Sequence, residues 1–231
     1  MSNYPESIEV NGRSYAVVYE TSIKATSSVR IKSKTVHVNL SRFEFGGKRD
    51  QVVDKFLAWA EKKLSVVADD FIDPVYEDGG RVVTHNKTYD IVVRKGSQNR
   101  GRIIEGIIYA TVSSLDSVQD VCEKTIIRDQ IDYLNEVVEE LNQLHFGEQC
   151  NEVKFKRTRS RFGSCSSKRN INISFRLLFA PREVFRYVCV HELAHLKEMN
   201  HSKTFWAVVE EAMPGYKESE KWLRQNGFAL G

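Results

Sequence analysis

The pattern of apolar and polar positions predicts a strand-rich first half of the chain. Apolar and polar residues alternate at 35–40, and further apolar runs lie at 89–93 and 103–112. Runs of this length, bounded by polar and glycine-rich turns, are typical of strands with a buried face. Apolar residues at helical spacing over 52–60 predict one helix among these strands, with Asp50 as its candidate N-cap.

The second half of the chain changes to a helical period. Apolar residues at steps of three and four predict a long helix over 121–144, which stops before Gly147. Another helix is predicted to begin at Pro181, because proline is well placed in the first turn of a helix. A last helix is predicted over 218–225, ended by Gly227.

Between these helices the pattern returns to strands, at 153–159 and 171–179, with Gly163 in a polar turn between them. This order of elements predicts the α+β fold class. We expect a strand-rich N-terminal domain over 1–116 and a second domain of helices and strands over 117–231. No internal repeat is evident from the sequence.

The composition is typical of a soluble globular protein. Of the 231 residues, 41% are hydrophobic and 28% are charged, and the formal net charge is +3. No apolar run approaches 18 residues, so we expect no membrane contact. Residues 1–6 lack the basic and then apolar character of a signal peptide. Four cysteines without a regular spacing do not indicate a disulfide framework.

The most informative motif is His191-Glu192-Leu-Ala-His195, in the helix that begins at Pro181. Residues four apart on a helix project from one face, so both imidazoles can bind one zinc ion. Glu192 would lie beside that metal and can take a proton from a water that the metal activates. A chance match is expected in roughly one chain in a hundred of this length. Apolar residues that would seat the helix in a core favour a metal site over coincidence.

His201 is the natural third ligand, and three protein ligands leave a fourth position open, as in catalytic zinc sites. An uninterrupted helix would carry His201 roughly 240° away from the other two histidines, so the helix must end before it. Asn200 suits that end because asparagine tolerates the left-handed conformation, and Ser202 suits the N-cap of a following helix. These three residues also form a glycosylation sequon across the ligand, which favours a cytoplasmic location.

Further segments share their order and spacing with one known family, and they are 161–168, 170–174, 190–195, 200–206 and 213–216. In these segments the chain resembles the YgjP-like family of predicted zinc-dependent hydrolases, which is related to the zincin metallopeptidases. The resemblance covers about 155–227 and is loose in the N-terminal half. The family usually carries tryptophan at the position of Phe162, a mild aromatic exchange.

The resemblance implies a fold, ligands and activities. It implies a minimal zincin-like metallopeptidase domain in which His191, His195 and His201 bind Zn²⁺ and Glu192 is the catalytic acid and base. It also implies a UTP pyrophosphatase activity, because that activity is attributed to the family. Another divalent metal at the same three imidazoles is compatible with the residues.

Two further features have alternative interpretations. Alternation along a strand would divide the basic run 154–161 between two faces, as on a solvated edge strand. The alternative is phosphate contact, for which Arg159 and Arg161 are the best candidates because a guanidinium binds phosphate oxygens well. A net charge of +3 does not favour a nucleic-acid partner. Tyr216 is a candidate oxyanion stabiliser, and burial of its ring is an equally good account.

The residues leave three functional hypotheses open. The first is a zinc-dependent hydrolase of peptides or proteins, in which Glu192 transfers a proton from water to the leaving amine. The second is hydrolysis of a nucleoside triphosphate, such as UTP, at the same metal. The third is a non-catalytic binding module in which zinc only stabilises the fold. In such a module Glu192 would have no role.

Overall fold

A computed structural model of the chain describes residues 4–32, 35–65, 74–158 and 161–230. The chain forms two compact units, one made of Met1–Asp70 with Trp222–Gly231 and the other of Phe71–Lys221. Both helices and strands are present, which confirms the α+β class. The predicted domain boundary at residue 117 falls inside the second unit, and it stays a prediction.

The first unit contains a four-stranded sheet and a helix. The alternation predicted at 35–40 is confirmed, since Val36, Val38 and Leu40 are buried while residues 35, 37 and 39 are partly exposed. The strands lie in the order β1-β2-β4-β3, with the central pair parallel and the outer pairs antiparallel. The elements are β1 Ser7–Val10, β2 Arg13–Ser22, β3 Ser28–Lys32, β4 Thr35–Ser41 and α1 Gly46–Leu64.

The predicted cap of α1 is wrong. The helix begins at Gly46, four residues before Asp50, and its N-cap Phe45 makes no side-chain cap hydrogen bond. Asp50 instead accepts a hydrogen bond of 2.7 Å from the Tyr4 hydroxyl. A contact between residues far apart in the sequence therefore takes the carboxylate that local capping rules assign to the helix start.

The second unit begins with another four-stranded sheet of the same arrangement. Its order is β5-β6-β8-β7, again with a parallel central pair and antiparallel outer pairs. The same topology thus occurs twice, although the sequence showed no repeat. The single strand predicted at 103–112 is two strands, because Glu105 and Gly106 adopt positive φ values of 50° and 79° and form a tight turn. The strands are β5 Arg81–Val83, β6 Thr88–Lys95, β7 Arg100–Ile104 and β8 Ile107–Val112.

The long helix predicted over 121–144 is divided at Gln130. Its side chain is fully buried and donates a hydrogen bond of 2.7 Å to the Tyr89 hydroxyl, so a tertiary contact fixes the break. The predicted stop at Gly147 is confirmed by its left-handed conformation, φ 64°. The segments are α2 Val118–Asp129, α3 Ile131–Leu141 and a π-helical turn at Asn142–Phe146.

A three-stranded sheet precedes the last helices. Its strands are β9 Glu152–Lys156, β10 Gly163–Cys165 and β11 Asn170–Ser174, in the order β10-β11-β9. Strand β11 is antiparallel to β10 and parallel to β9, so Gly163 lies in an edge strand and not in the predicted turn. The strand predicted over 171–179 ends at Ser174, because Phe175–Phe179 forms a 3₁₀ helix.

The last three helices are α4 Arg182–Ala194, α5 Lys203–Ala212 and α6 Tyr216–Asn226. Two predicted starts are confirmed: Pro181 is the N-cap of α4, and the Ser202 side chain accepts a hydrogen bond from the backbone N–H of Phe205. Asn200 is not left-handed as predicted. The end of α4 is a tightened turn in which the Leu196 N–H donates to the Leu193 carbonyl, so no left-handed residue is needed. No helix in the described ranges is long and apolar enough to cross a membrane.

Candidate metal centre and active site

The end of α4 and the start of α5 bring three imidazoles together. His191 lies in the last turn of α4, His195 is its C-cap residue, and His201 lies just before the N-cap of α5. One candidate ligand atom of each of the three lies within 4.8 Å of those of the other two. The early end of α4 makes this arrangement possible, because the chain can fold His201 back over the helix.

The nitrogen atoms of this cluster fit a divalent metal ion. Nε2 of His191 and Nε2 of His201 are 3.0 Å apart. Two nitrogens that share a tetrahedral Zn²⁺ are about 3.3 Å apart, given metal–nitrogen distances of about 2.0–2.1 Å. Nδ1 of His195 lies 3.2 Å from the Glu198 carbonyl oxygen, and donation to that oxygen would leave Nε2 as a lone-pair donor.

The protonation states also suit metal binding. Burial, together with the neighbouring charges of His195 and His201, lowers the pKa of His191 to about 4. Burial likewise lowers the pKa of His195. Both rings are therefore neutral near pH 7, and a neutral imidazole is the form that binds a metal.

An aromatic wall surrounds the three imidazoles. The ring of Phe205, which is fully buried, lies 4.6–4.9 Å from each of the three histidine rings. Trp206 lies 5.8 Å from His191 and 5.9 Å from His201. In the sequence these aromatic residues belong to the segment 200–206 that resembles the family, and no role was predicted for them. In the structure they keep solvent from one side of the cluster, which accounts for the lowered histidine pKa values.

Glu192 is a buried carboxyl group beside the cluster, with a relative exposure of 5%. Burial raises the pKa of Glu192 to about 8, and a hydrogen bond from the backbone N–H of Cys165 opposes part of that rise. A carboxyl group with a pKa in this range exchanges a proton readily near neutral pH. That property suits a group that takes up and releases a proton within one reaction.

Gly163 is the functional-site residue that sequence analysis missed. A Cβ atom at this position would lie 2.7 Å from Cδ and Cγ of Glu192 and closer still to Oε1. Only glycine therefore lets strand β10 lie directly against the Glu192 carboxyl group. The motif order alone placed Gly163 in a turn, and nothing local in the sequence indicates a contact with a residue 29 positions later.

Comparison with known proteins assigns the chain to a family. The sequence model described as "YgjP-like, metallopeptidase domain" matches residues 25–226, which is most of the chain. The chain belongs to the YgjP-like family. It is therefore a metal-dependent hydrolase of a metallopeptidase family, and not the non-catalytic module of the third hypothesis. The match also extends the likeness into the first unit, where the motifs alone gave only a loose resemblance.

Individual proteins match parts of this YgjP-like chain. It is 35% identical over 72 residues to the UTP pyrophosphatase of Escherichia coli (strain K12), across 29% of this chain and 43% of that protein. The chain thus spans less than half of that relative's length. The metallopeptidase zymogen of Pyrococcus abyssi abylysin matches 40% of the chain and 97% of its own, at 26% identity and a TM-score of 0.36. The metallopeptidase zymogen of Methanocaldococcus jannaschii jannalysin matches 40% of this chain over 94% of its own length, at 22% identity and a TM-score of 0.35.

The other predicted site residues of this YgjP-like chain lie outside the histidine cluster. Arg159 is not within the described residues. Arg161 lines a cavity on the three-stranded sheet, and none of the three histidines is part of that lining. Tyr216 is buried, and its ring stacks on Tyr187 at 5.9 Å and on Trp206 at 5.3 Å. A substrate-binding role for any of the three predicted residues stays a prediction.

Replacement of Gly163 by alanine is expected to lower the hydrolase activity of this YgjP-like chain by about 10²-fold, because a small displacement of a reacting group has that effect. The new methyl group must move the Glu192 carboxyl group or the β10 backbone. Steady-state kinetics with the metal-loaded protein measures the loss. Gly47→Ala is the matched control, since a Cβ there meets no atom within 4 Å. Activity of Gly163→Ala within twofold of the parent would show that the close approach has no catalytic importance.

Proposed function

We propose that the chain hydrolyses peptide bonds with a zinc ion held by His191, His195 and His201. The observation that carries this proposal is a buried carboxyl group, Glu192, beside three imidazoles whose candidate ligand atoms lie within 4.8 Å. His191, His195 and His201 would hold the ion, and a zinc ion would supply the Lewis acidity that activates the scissile carbonyl and the attacking water. Imidazole nitrogen is a preferred ligand of zinc, and three of them leave a coordination position for substrate.

Glu192 moves the proton in this reaction. As a carboxylate it takes a proton from the attacking water, and as a carboxylic acid it gives the proton to the nitrogen of the leaving amine. Burial, which raises its pKa to about 8, makes the protonated form stable enough to persist between the two transfers. The backbone N–H of Cys165 orients the carboxyl group from the β10 side.

A second candidate is hydrolysis of nucleoside triphosphates. One specific observation favours it: the relative with 35% identity over 72 residues is named a UTP pyrophosphatase. The three histidines and Glu192 would then serve the attack of water on phosphorus, with release of pyrophosphate. The peptidase proposal has precedence because the family whose model matches residues 25–226 is described as a metallopeptidase domain. The cytoplasmic location stays a prediction.

One experiment separates the two substrates. Zinc-loaded protein is incubated with a peptide library and, in parallel, with a panel of nucleoside triphosphates that includes UTP. We expect new amino termini, identified by mass spectrometry, that are absent with the Glu192→Gln variant. Pyrophosphate release that disappears in this variant, without any peptide cleavage, would overturn the peptidase proposal in favour of the nucleotide activity.

A further inference from the structure

A second polar site lies on the three-stranded sheet, behind the strand that contacts Glu192. Gly163 pairs with Ile173, and Ser164 pairs with Asn172. Side chains alternate along a strand, so Gly163 faces Glu192 while Ser164 and Asn172 face the other way. A cavity of about 240 Å³ borders both pairs, and its lining includes Gly163 and Ile173 beside the polar residues Lys156, Thr158, Arg161, Ser164, Asn172 and Ser174.

The floor of this cavity carries buried polar atoms without partners. Asn172 is 8% exposed and Ser174 is 1% exposed. Neither Oδ1 of Asn172 nor Oγ of Ser174 has a hydrogen-bond partner among the described residues. Oγ of Ser164 accepts a hydrogen bond of 3.1 Å from Nδ2 of Asn172, so its own proton is left to donate. Buried polar atoms are normally paired, so these atoms need a partner, a water or a ligand, that the described residues do not supply.

The rim of the cavity carries uncompensated positive charge. Lys156 and Arg161 are exposed, and neither forms an ion pair with any residue that the structure describes. Their neighbours differ, since Lys154 pairs with Glu152 at 2.7 Å and Arg157 pairs with acidic residues of α2. No acidic side chain lines the cavity. Its charge is thus complementary to an anion.

The donors and acceptors together select one kind of anion. The two cations and the hydroxyls of Ser164 and Ser174 donate to oxygen atoms of a ligand, whereas Oδ1 of Asn172 needs a donor. A phosphate group can carry a P–OH proton near neutral pH, because its second pKa is about 6, whereas sulfate carries none. The volume exceeds the roughly 30 Å³ of one water in the liquid, so a phosphate and a few waters fit.

We propose that this cavity is a binding site for a hydrogen phosphate group. Lys156 and Arg161 neutralise its charge, the hydroxyls of Ser164 and Ser174 donate to its oxygens, and Oδ1 of Asn172 accepts its P–OH proton. The group belongs either to inorganic phosphate or to the end of a nucleotide. The site goes beyond the proposed peptidase function, because neither Glu192 nor any of the three histidines lines the cavity and the site needs no metal.

Equilibrium dialysis of the full chain against radiolabelled phosphate at low ionic strength tests the site, since added salt would screen the cations. We expect one phosphate per chain, with and without zinc. The Ser174→Ala and Lys156→Gln variants are each expected to bind about tenfold more weakly, as loss of a hydrogen bond to a charged group predicts. Lys154→Gln, on the same strand and already ion-paired, is the matched control and is expected to bind as the parent does. Sulfate is expected to compete about tenfold less well than phosphate.

Competition then identifies the source of the phosphate group. UTP that displaces labelled phosphate at a lower concentration than unlabelled phosphate does would identify a nucleotide, and UTP that competes no better would identify free phosphate. The proposal is overturned if millimolar phosphate does not bind, or if neither Ser174→Ala nor Lys156→Gln weakens binding. It is also overturned if stripping the metal abolishes binding, because the anion would then sit at the histidines. These results do not depend on peptide hydrolysis, so failure of the peptidase proposal leaves them unchanged.

Discussion

Replacement of Glu192 by glutamine is expected to lower kcat by about 10²–10⁴-fold, the usual contribution of a positioned acid–base group. Glutamine keeps the shape of the side chain and an oxygen that can accept the Cys165 N–H, but it cannot take a proton from water. The fold and the zinc content should therefore match those of the parent. Steady-state kinetics, circular dichroism and metal analysis of the same preparations measure the three properties.

The matched control for this variant is Glu183→Gln. Glu183 lies in the first turn of the same helix and is exposed. Its replacement therefore changes the formal charge by the same amount as Glu192→Gln does, without a change at the three histidines. We expect its activity to stay within twofold of the parent. If Glu192→Gln retained parental activity, the proton transfers would have to be assigned to another group, and the mechanism proposed here would be wrong.

Removal of one imidazole is expected to cause a comparable loss of activity, because the protein then loses its metal ion. In the His195→Ala variant two nitrogens remain, and zinc affinity should fall by more than the roughly 10–100-fold that changes outside the ligand shell cause. After dialysis against a zinc buffer, the parent is expected to retain about one zinc per chain and the variant almost none. Activity should fall to background in the same samples.

His145→Ala provides the control for that experiment. His145 is exposed at the end of the π-helical turn, and it is not among the three clustered histidines. The His145→Ala variant should bind zinc as the parent does. Full zinc retention by His195→Ala would exclude His195 as a ligand, whereas zinc loss in both variants would indicate binding by exposed histidines in general.

The sequence predicted those features that depend on neighbouring residues. The four-residue step from His191 to His195 gives a shared helix face from helical geometry alone. Pro181 and Ser202 mark the starts of α4 and α5 through backbone preferences that act within one turn. The grouping of His191, His195 and His201 is therefore largely a local property of the chain.

Features that depend on distant contacts could not be predicted in the same way. The break at Gln130 follows from a hydrogen bond to Tyr89, 41 positions earlier, and the helical pattern runs through it without interruption. The turn at Glu105 places a non-glycine residue at positive φ, against its usual preference. The approach of Gly163 to Glu192 requires that β10 pair with β11 along the edge of the sheet. Each of these depends on packing that no short window of sequence contains.

The assignment of Trp222–Gly231 to the same compact unit as Met1–Asp70 has a consequence for biosynthesis. A ribosome releases the chain from its N-terminal side, so residues 1–70 emerge long before residues 222–231, which complete their unit. Residues 71–221 form one continuous range, so their unit is complete before residues 222–231 are made. The second unit can therefore fold during translation before residues 222–231, which complete the first unit, have been made.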